Sequence, residues 1–331
     1  MRIRIFIFVV CLLAGKSALS QSGQPASSSA APDHASAVPA GKTDASPPNN
    51  PETPQRPAQL DLTPDAKGAL SQEQMRQLFR VVAAKDQEND KLLHDYTYVE
   101  REVQNNLDGE GRTKSTEVKT YEVLEIYGEQ VQRLIAKDDK PLDAKDAAKE
   151  DEKIQKIIDK RKNESDDDRK KREEKEQKER EEEKKFTTEV ADAYDFRLVG
   201  TEKIGGREAW VIDGEPHPGF EPHLKESKFL SKFHGRVWID KDDLQLAKLD
   251  VEAIDTVALG WVLARIHKGT RVVLEQTRVN DEVWLPQHVN FKIDARVAVF
   301  KGYKLDGDQT FRDYKKFRTS SKIVGMQEVK Q

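Results

Sequence analysis

In the segment "HPGFEPH", His217 and His223 flank Glu221, and His234 follows a little later. Imidazole and carboxylate are the groups that bind zinc, but zinc ligands normally come in closely spaced pairs fixed by one helix or turn. Two prolines and a glycine lie between these two histidines, so the segment reads as a solvated loop and no metal site is assigned. "GTEKIGGREAW" is rich in glycine but lacks the Gly-Lys-Ser/Thr with which a phosphate-binding loop holds phosphate and magnesium. No nucleotide cofactor is assigned. A Gly-x-Ser-x-Gly elbow is absent, and carboxylates are too abundant to single out an acid and base pair. No catalytic residue is named, although catalytic groups meet in space rather than in sequence.

Charge excludes a further class. Among 331 residues, 56 Lys and Arg face 60 Asp and Glu, for a net charge of -4. A nucleic-acid partner would need a net basic face interleaved with aromatics, which this balance does not provide. The charged fraction of 35% exceeds the globular norm of about 25%, and the excess sits in "DKRKNESDDDRKKREEKEQKEREEEKK", residues 159 to 185, which has no apolar side chain.

The N-terminus, "MRIRIFIFVVCLLAGKSALSQSGQ", has Arg2 and Arg4, an apolar core from Ile5 to Ala14, and small residues before Gln21. This is the three-part pattern of a secretory signal peptide (1–20), cleaved near Ser20, and it implies an exported protein. Cys11, the sole cysteine, falls inside that core, so the mature chain is expected to have no thiol and no disulfide. Residues 21–68 are dense in Pro, Ser and Ala without periodic apolar positions, and read as a disordered tether.

Ser71 as N-cap with Gln74 three residues on opens an amphipathic helix carrying Met75, Leu78, Phe79 and Val82. From Tyr96 the period changes to two, with hairpin signals at "DGEG", "YGE" and Ile204-Gly205-Gly206-Arg207. In "VNFKIDARV" the residues Val289, Phe291, Ile293, Ala295 and Val297 share one face and polar residues the other, as in an open antiparallel sheet with one packed face. "AIDTVALGWVLARIHKG" places Ile254, Val257, Ala258, Trp261, Val262 and Ile266 on one helical face, which predicts a helix lying over the sheet. The charge run predicts a solvated helix through acid-first pairs four apart, such as Asp168 with Arg172 and Glu174 with Lys178, and reads as a mobile projecting insertion over residues 140–185.

The strand pattern around "YDFRLVGTEKIGGREAWVID", then "GRVWIDKDDLQLAKLDVE", then "EVWLPQHVNFKID" resembles the outer-membrane lipoprotein-sorting (LolA-like) superfamily. The resemblance implies an α+β fold, mainly antiparallel β: a curved half-barrel sheet (one domain, 69–325, interrupted by the 140–185 charged helical insertion) with covering helices. It further implies a periplasmic location, an apolar cavity for acyl chains, a hairpin containing Trp238 and Asp240, and the helix Ile254 to Ile266 as part of the plug. The expected lining is Trp238, Val257, Trp261, Val262, Val289, Phe291 and Ile293, although the same periodicity also fits ordinary core residues with no cavity. The expected partner is a lipid or a lipidated protein. The alternative is an envelope scaffold or sensor that meets other envelope proteins through the sheet and the charged helix.

Overall fold

The computed structural model describes residues 60–63, 65–66, 69–259, 264–297 and 301–317. The expected signal peptide and most of the tether lie outside the described residues, as do Trp261 and Val262. The end of the tether departs from expectation. Leu60 and Leu62 pack against the main core, and the Gln74 side chain donates to the carbonyls of Asp61 and Thr63 at 3.1 Å. The apolar Leu-x-Leu pair docks this end before residue 68.

The first helix, α1 (Gln72–Leu93), starts with the expected capping box between Ser71 and Gln74. Strands β1 (Tyr96–Leu107), β2 (Thr113–Ile126), β3 (Glu129–Lys137) and β4 (Lys140–Pro141) follow as a meander. Two helices come next, α2 (Ala144–Lys162) and α3 (Asp166–Ala193). A second meander contains β5 (Tyr194–Ile204), β6 (Arg207–Pro216), β7 (Phe233–Asp240), β8 (Leu246–Ala253), β9 (Val257–Leu259), β10 (Ala264–Ile266), β11 (Arg271–Val279), β12 (Val283–Val297) and β13 (Lys301–Lys316). The hairpin signals are borne out. Gly205 and Gly206 have φ of +58° and +84°, and Tyr127 and Gly128 have +51° and +87°, the left-handed pairs that two-residue hairpin turns require.

All pairings are antiparallel, and the order β4-β3-β2-β1-β13-β12-β11-β8-β7-β6-β5 gives an open, curved half-barrel rather than a closed one. The two meanders meet where β1 pairs with β13. Their far ends, β3–β4 and β5, are edges of the sheet, as is β9, which among the described residues pairs only with β10, and the charged helices are the chain that joins β4 to β5.

Two expectations are corrected here. The described parts of the segment 254–266 are strand and not helix: β9 and β10 pair antiparallel, with Ile266 opposite Val257 and Ala295, and extend the sheet beside β12. Its residues are rich in β-branched side chains, and their spacing fits a two-residue period as well as a helical one. Nor does the whole charged segment project freely. α2 lies along the edge of β3, from Lys137 near Asp146 to Glu129 near Arg161, with Ile154 buried. α3 is charged and exposed over its first turns, then buries Phe186, Ala191 and Ala193 as it runs into β5. Its ion pairs Arg172–Glu176, Lys175–Glu179 and Lys178–Glu182 run base first.

The backbone groups at the strand edges are met by helix side chains. At β5 the Gln72 amide donates to the Phe196 carbonyl at 2.7 Å and accepts from its N–H at 2.9 Å. At β3 the Leu134 N–H donates to Glu150 at 3.2 Å, and Lys153 donates to the Gln132 carbonyl at 3.2 Å. Where β12 runs on below the end of its pairing with β13, Asn89 accepts from the Trp284 N–H at 2.6 Å and donates to its carbonyl at 2.7 Å. Unpaired edge groups invite another strand, so these contacts both satisfy the backbone and block addition.

The face that α1 covers, called inner below, carries the core. Met75, Leu78 and Val82 of α1 pack with Phe186, Tyr194, Phe196, Ile212 and Ile239. A second cluster joins Phe233, Val257, Ile266, Val272, Leu274, Val289, Phe291 and Ile293. Phe291 lies over Gly307 of β13, where an added Cβ would stand 2.1 Å from a ring carbon. Glycine is therefore required by close approach. Replacing Gly307 by Ala should destabilise the fold by about 1–3 kcal/mol through overpacking, whereas Gly302→Ala, with open space at its Cβ, should change the denaturant midpoint little. Equal midpoints for the two variants would contradict this packing.

Candidate ligand-binding face

In a regular strand pair, opposed residues share a face, so registers can be followed across the sheet. On the inner face one row reads Ile293, Leu305, Asn106, Ser115, from β12 through β13 and β1 to β2. The next reads Phe291, Gly307, Gln104, Glu117, and the third Val289, Gln309, Glu102, Lys119. Beyond them Phe311 opposes Glu100, which opposes Tyr121. The same face is thus apolar on β12 and polar on β1 and β2. On its other side, β12 continues into the apolar residues Leu274 and Val272 of β11, then Leu249 and Val251 of β8.

Four expected lining residues, Val257, Val289, Phe291 and Ile293, come together in one cluster on this face. Beside them Phe229, Leu249, Val251, Leu305 and Phe311 are only partly buried. Trp238 is placed elsewhere, which corrects its expected position. Val237 and Ile239 take the inner face, so strand parity turns Trp238 outward, where it clusters with Ala209, Val211, Ala247 and Trp284. There its indole N–H donates to Glu202 at 2.7 Å and Lys248 lies 5.1 Å from its ring centre. Asp240 does sit at the β7–β8 hairpin, accepting from the Asp242 and Asp243 N–H groups and from Arg207.

The outer face is a lattice of ion pairs. Arg236 and Arg197 share Asp213, Arg271 pairs with Asp250, and Lys248 with Glu275. The histidines considered for metal each meet a different carboxylate: His217 Asp195, His223 Glu189 and His234 Glu215. Among the described residues no group of three or more His, Cys, Asp or Glu side chains is arranged to hold a metal ion.

The polar end of the inner face holds a residue that sequence reasoning did not single out. Glu100 is 6% exposed, and its carboxyl accepts a hydrogen bond from the Gln132 amide at 2.9 Å. Burial pushes its carboxyl up to about 7, the Gln132 bond opposes this, and neighbouring Glu102 adds to it. Burial likewise raises Glu102, against Lys119 and with Glu117. Tyr98 and Tyr121 are raised by burial and then by these acids. Tyr98 also packs against Phe311 and Tyr314, with ring centres 6.0 and 5.2 Å apart. The signal was parity: in "YVEREVQNN" the residues Tyr98, Glu100, Glu102, Gln104 and Asn106 alternate onto one face.

Because the folded chain holds the Glu100 proton up to about pH 7 while the unfolded chain releases it near 4.5, folding takes up a proton between these values. Stability is therefore lost as pH rises through this window. At ~1.4 kcal/mol per pH unit the loss is about 3 kcal/mol, so Glu100→Gln should be more stable than the natural chain by that order at pH 8 and little different at pH 4. Parallel stability–pH curves for the two proteins would contradict the placement of this carboxyl.

No family model matches the chain, and neither does any curated protein. Similar solved structures include an outer membrane lipoprotein-sorting protein domain from Vibrio parahaemolyticus, at 11% identity and a TM-score of 0.30, covering 74% of this chain and 95% of that one. They also include a DUF1329 family protein from Desulfovibrio piger, at 11% identity and 0.28, covering 76% and 95%. A LolA superfamily protein from Nitrosomonas europaea, at 8% and 0.23, covers 72% and 94%. The superfamily that the strand motifs resemble is thus named among the similar structures.

Proposed function

We propose that this chain is a binding protein of the cell envelope that holds the acyl chain of a lipid or lipidated protein along the inner face. The observation that carries the reading is the change of character across one continuous sheet face. Apolar residues on β8, β11 and β12 pass in register into Gln, Asn and Glu on β13 and β1. Such a surface suits an amphiphile, with its chain over Leu249, Val251, Leu305 and Phe311 and its polar end toward Glu100 and Gln132. Few polar groups beside a mainly apolar lining are what small-ligand sites generally show. The N-terminal export pattern and the lipoprotein-sorting motifs agree with a periplasmic location. The scaffold reading has less behind it, because α2 uses Glu150, Asp151, Lys153 and Arg161 on β3 rather than leaving them for a partner.

A fluorescent acyl-chain probe tests the proposal. Leu305→Gln puts an amide on the inner face and should weaken binding about tenfold, the order expected from losing ~1–2 kcal/mol of apolar contact. Val273→Gln, on the outer face between Asp250 and Asn290, should leave binding unchanged. No saturable binding to the natural protein, or equal loss in both variants, would overturn the reading.

A further inference from the structure

The polar end of the inner face contains a carboxyl whose surroundings suit one protonation state. Glu100 is flanked by Phe311 on β13 and Tyr121 on β2, and Phe311 belongs to the apolar cluster that includes Phe291 and Val289. Each packed element contributes few charges toward it. On β1 these are Tyr98 and Glu102; on β2, Glu117, Lys119 and Tyr121; from α2, Glu150, whose charge reaches Tyr121. β3 offers the neutral Gln132, and β13 the uncharged Phe311 and Gln309. The ammonium of Lys119 is engaged by Glu117 at 2.7 Å. Among the described residues no cation lies within ion-pair distance of Glu100, so its ionised form has one amide donor and a neighbouring acid.

From this placement we infer that Glu100 links occupancy of the inner face to pH: a ligand that covers it is bound together with a proton. The inference rests on the acyl-chain reading and names its regulation. A ligand with its chain over Phe311 and an uncharged polar end over Glu100 displaces the little water that still reaches this carboxyl, and a carboxylate deprived of water without a cation is costly, whereas a protonated carboxyl is much less so. Binding therefore favours the neutral acid, and the bound state holds its proton to higher pH than the free state. Linkage then fixes the sign. Affinity is greatest at low pH, falls as pH rises through the range where free Glu100 ionises, and levels off once the bound form ionises too. The ligand is retained in an acidified compartment and released as pH climbs.

The experiment uses the full chain and a fluorescent acyl ester with no ionisable group. Between pH 6 and pH 8 its affinity should fall about three- to tenfold for the natural protein, and less than about twofold for Glu100→Gln, which keeps an amide for Gln132 to meet. A second measurement needs no variant: titration calorimetry at pH 7 in two buffers of different ionisation heat should show a fraction of a proton taken up per probe bound. Binding that is equal at pH 6 and pH 8, heats independent of buffer, or the same slope in Glu100→Gln would overturn the inference while leaving acyl-chain binding intact. Absence of binding at every pH would overturn the acyl-chain reading, and this inference with it.

Discussion

An antiparallel sheet that does not close has edge strands, and these, like stretches where one strand outruns its neighbour, expose backbone N–H and C=O groups that want partners. The structure depends on how these are met. Gln72 pairs with both backbone groups of Phe196, Asn89 with both of Trp284, and Glu150 with Lys153 cover Leu134 and Gln132. In each case a helix supplies through side chains what a neighbouring strand would have supplied through its backbone. The sheet therefore stays an open half-barrel. Net hydrogen-bond energies of about 1 kcal/mol each make these contacts modest contributors to stability. Their larger effect is on topology, because at Phe196, Leu134 and Gln132 the backbone groups that another strand would need are already engaged.

This gives the charged segment its place. α2 and α3 carry the chain from the β3 edge to the β5 edge, and α3, 28 residues long, spans about 42 Å as a helix. The segment needs few apolar residues because α2 holds β3 mainly with charged side chains, and because α3 buries only its last turns. Arg161 and Arg172 both bind Glu164 at the bend between the helices, fixing the angle at which one gives way to the other.

Much of the fold was legible in the sequence because turn chemistry is local. Gly205–Gly206 and Tyr127–Gly128 announce hairpins wherever they occur, and the alternation in "VNFKIDARV" names its own inner face. Ser71 and Gln74 likewise announce a helix start. What failed did so for stated reasons. Val257 and Ile266 fit both a helical and an extended period, and only pairing with Ala295 decides between them. Trp238 was read from its motif, but parity against Val237 and Ile239 sets its face. Gln72, Asn89 and Glu150 were invisible because their partners lie on strands that the sequence alone does not bring near. Glu100 is intermediate: its parity was readable, but its burial, and the absence of a cation beside it among the described residues, depend on β3 and β13.

The central claim is that helix side chains terminate the sheet. Amide hydrogen exchange of the natural protein tests it most directly, read residue by residue at Leu134, Phe196 and Trp284. Protection comparable to interior strand amides such as Leu274, and its selective loss at Phe196 in Gln72→Ala and at Trp284 in Asn89→Ala, is the result the account predicts. Exchange at these three amides as fast as in exposed turns, or protection unaffected by either substitution, would contradict it.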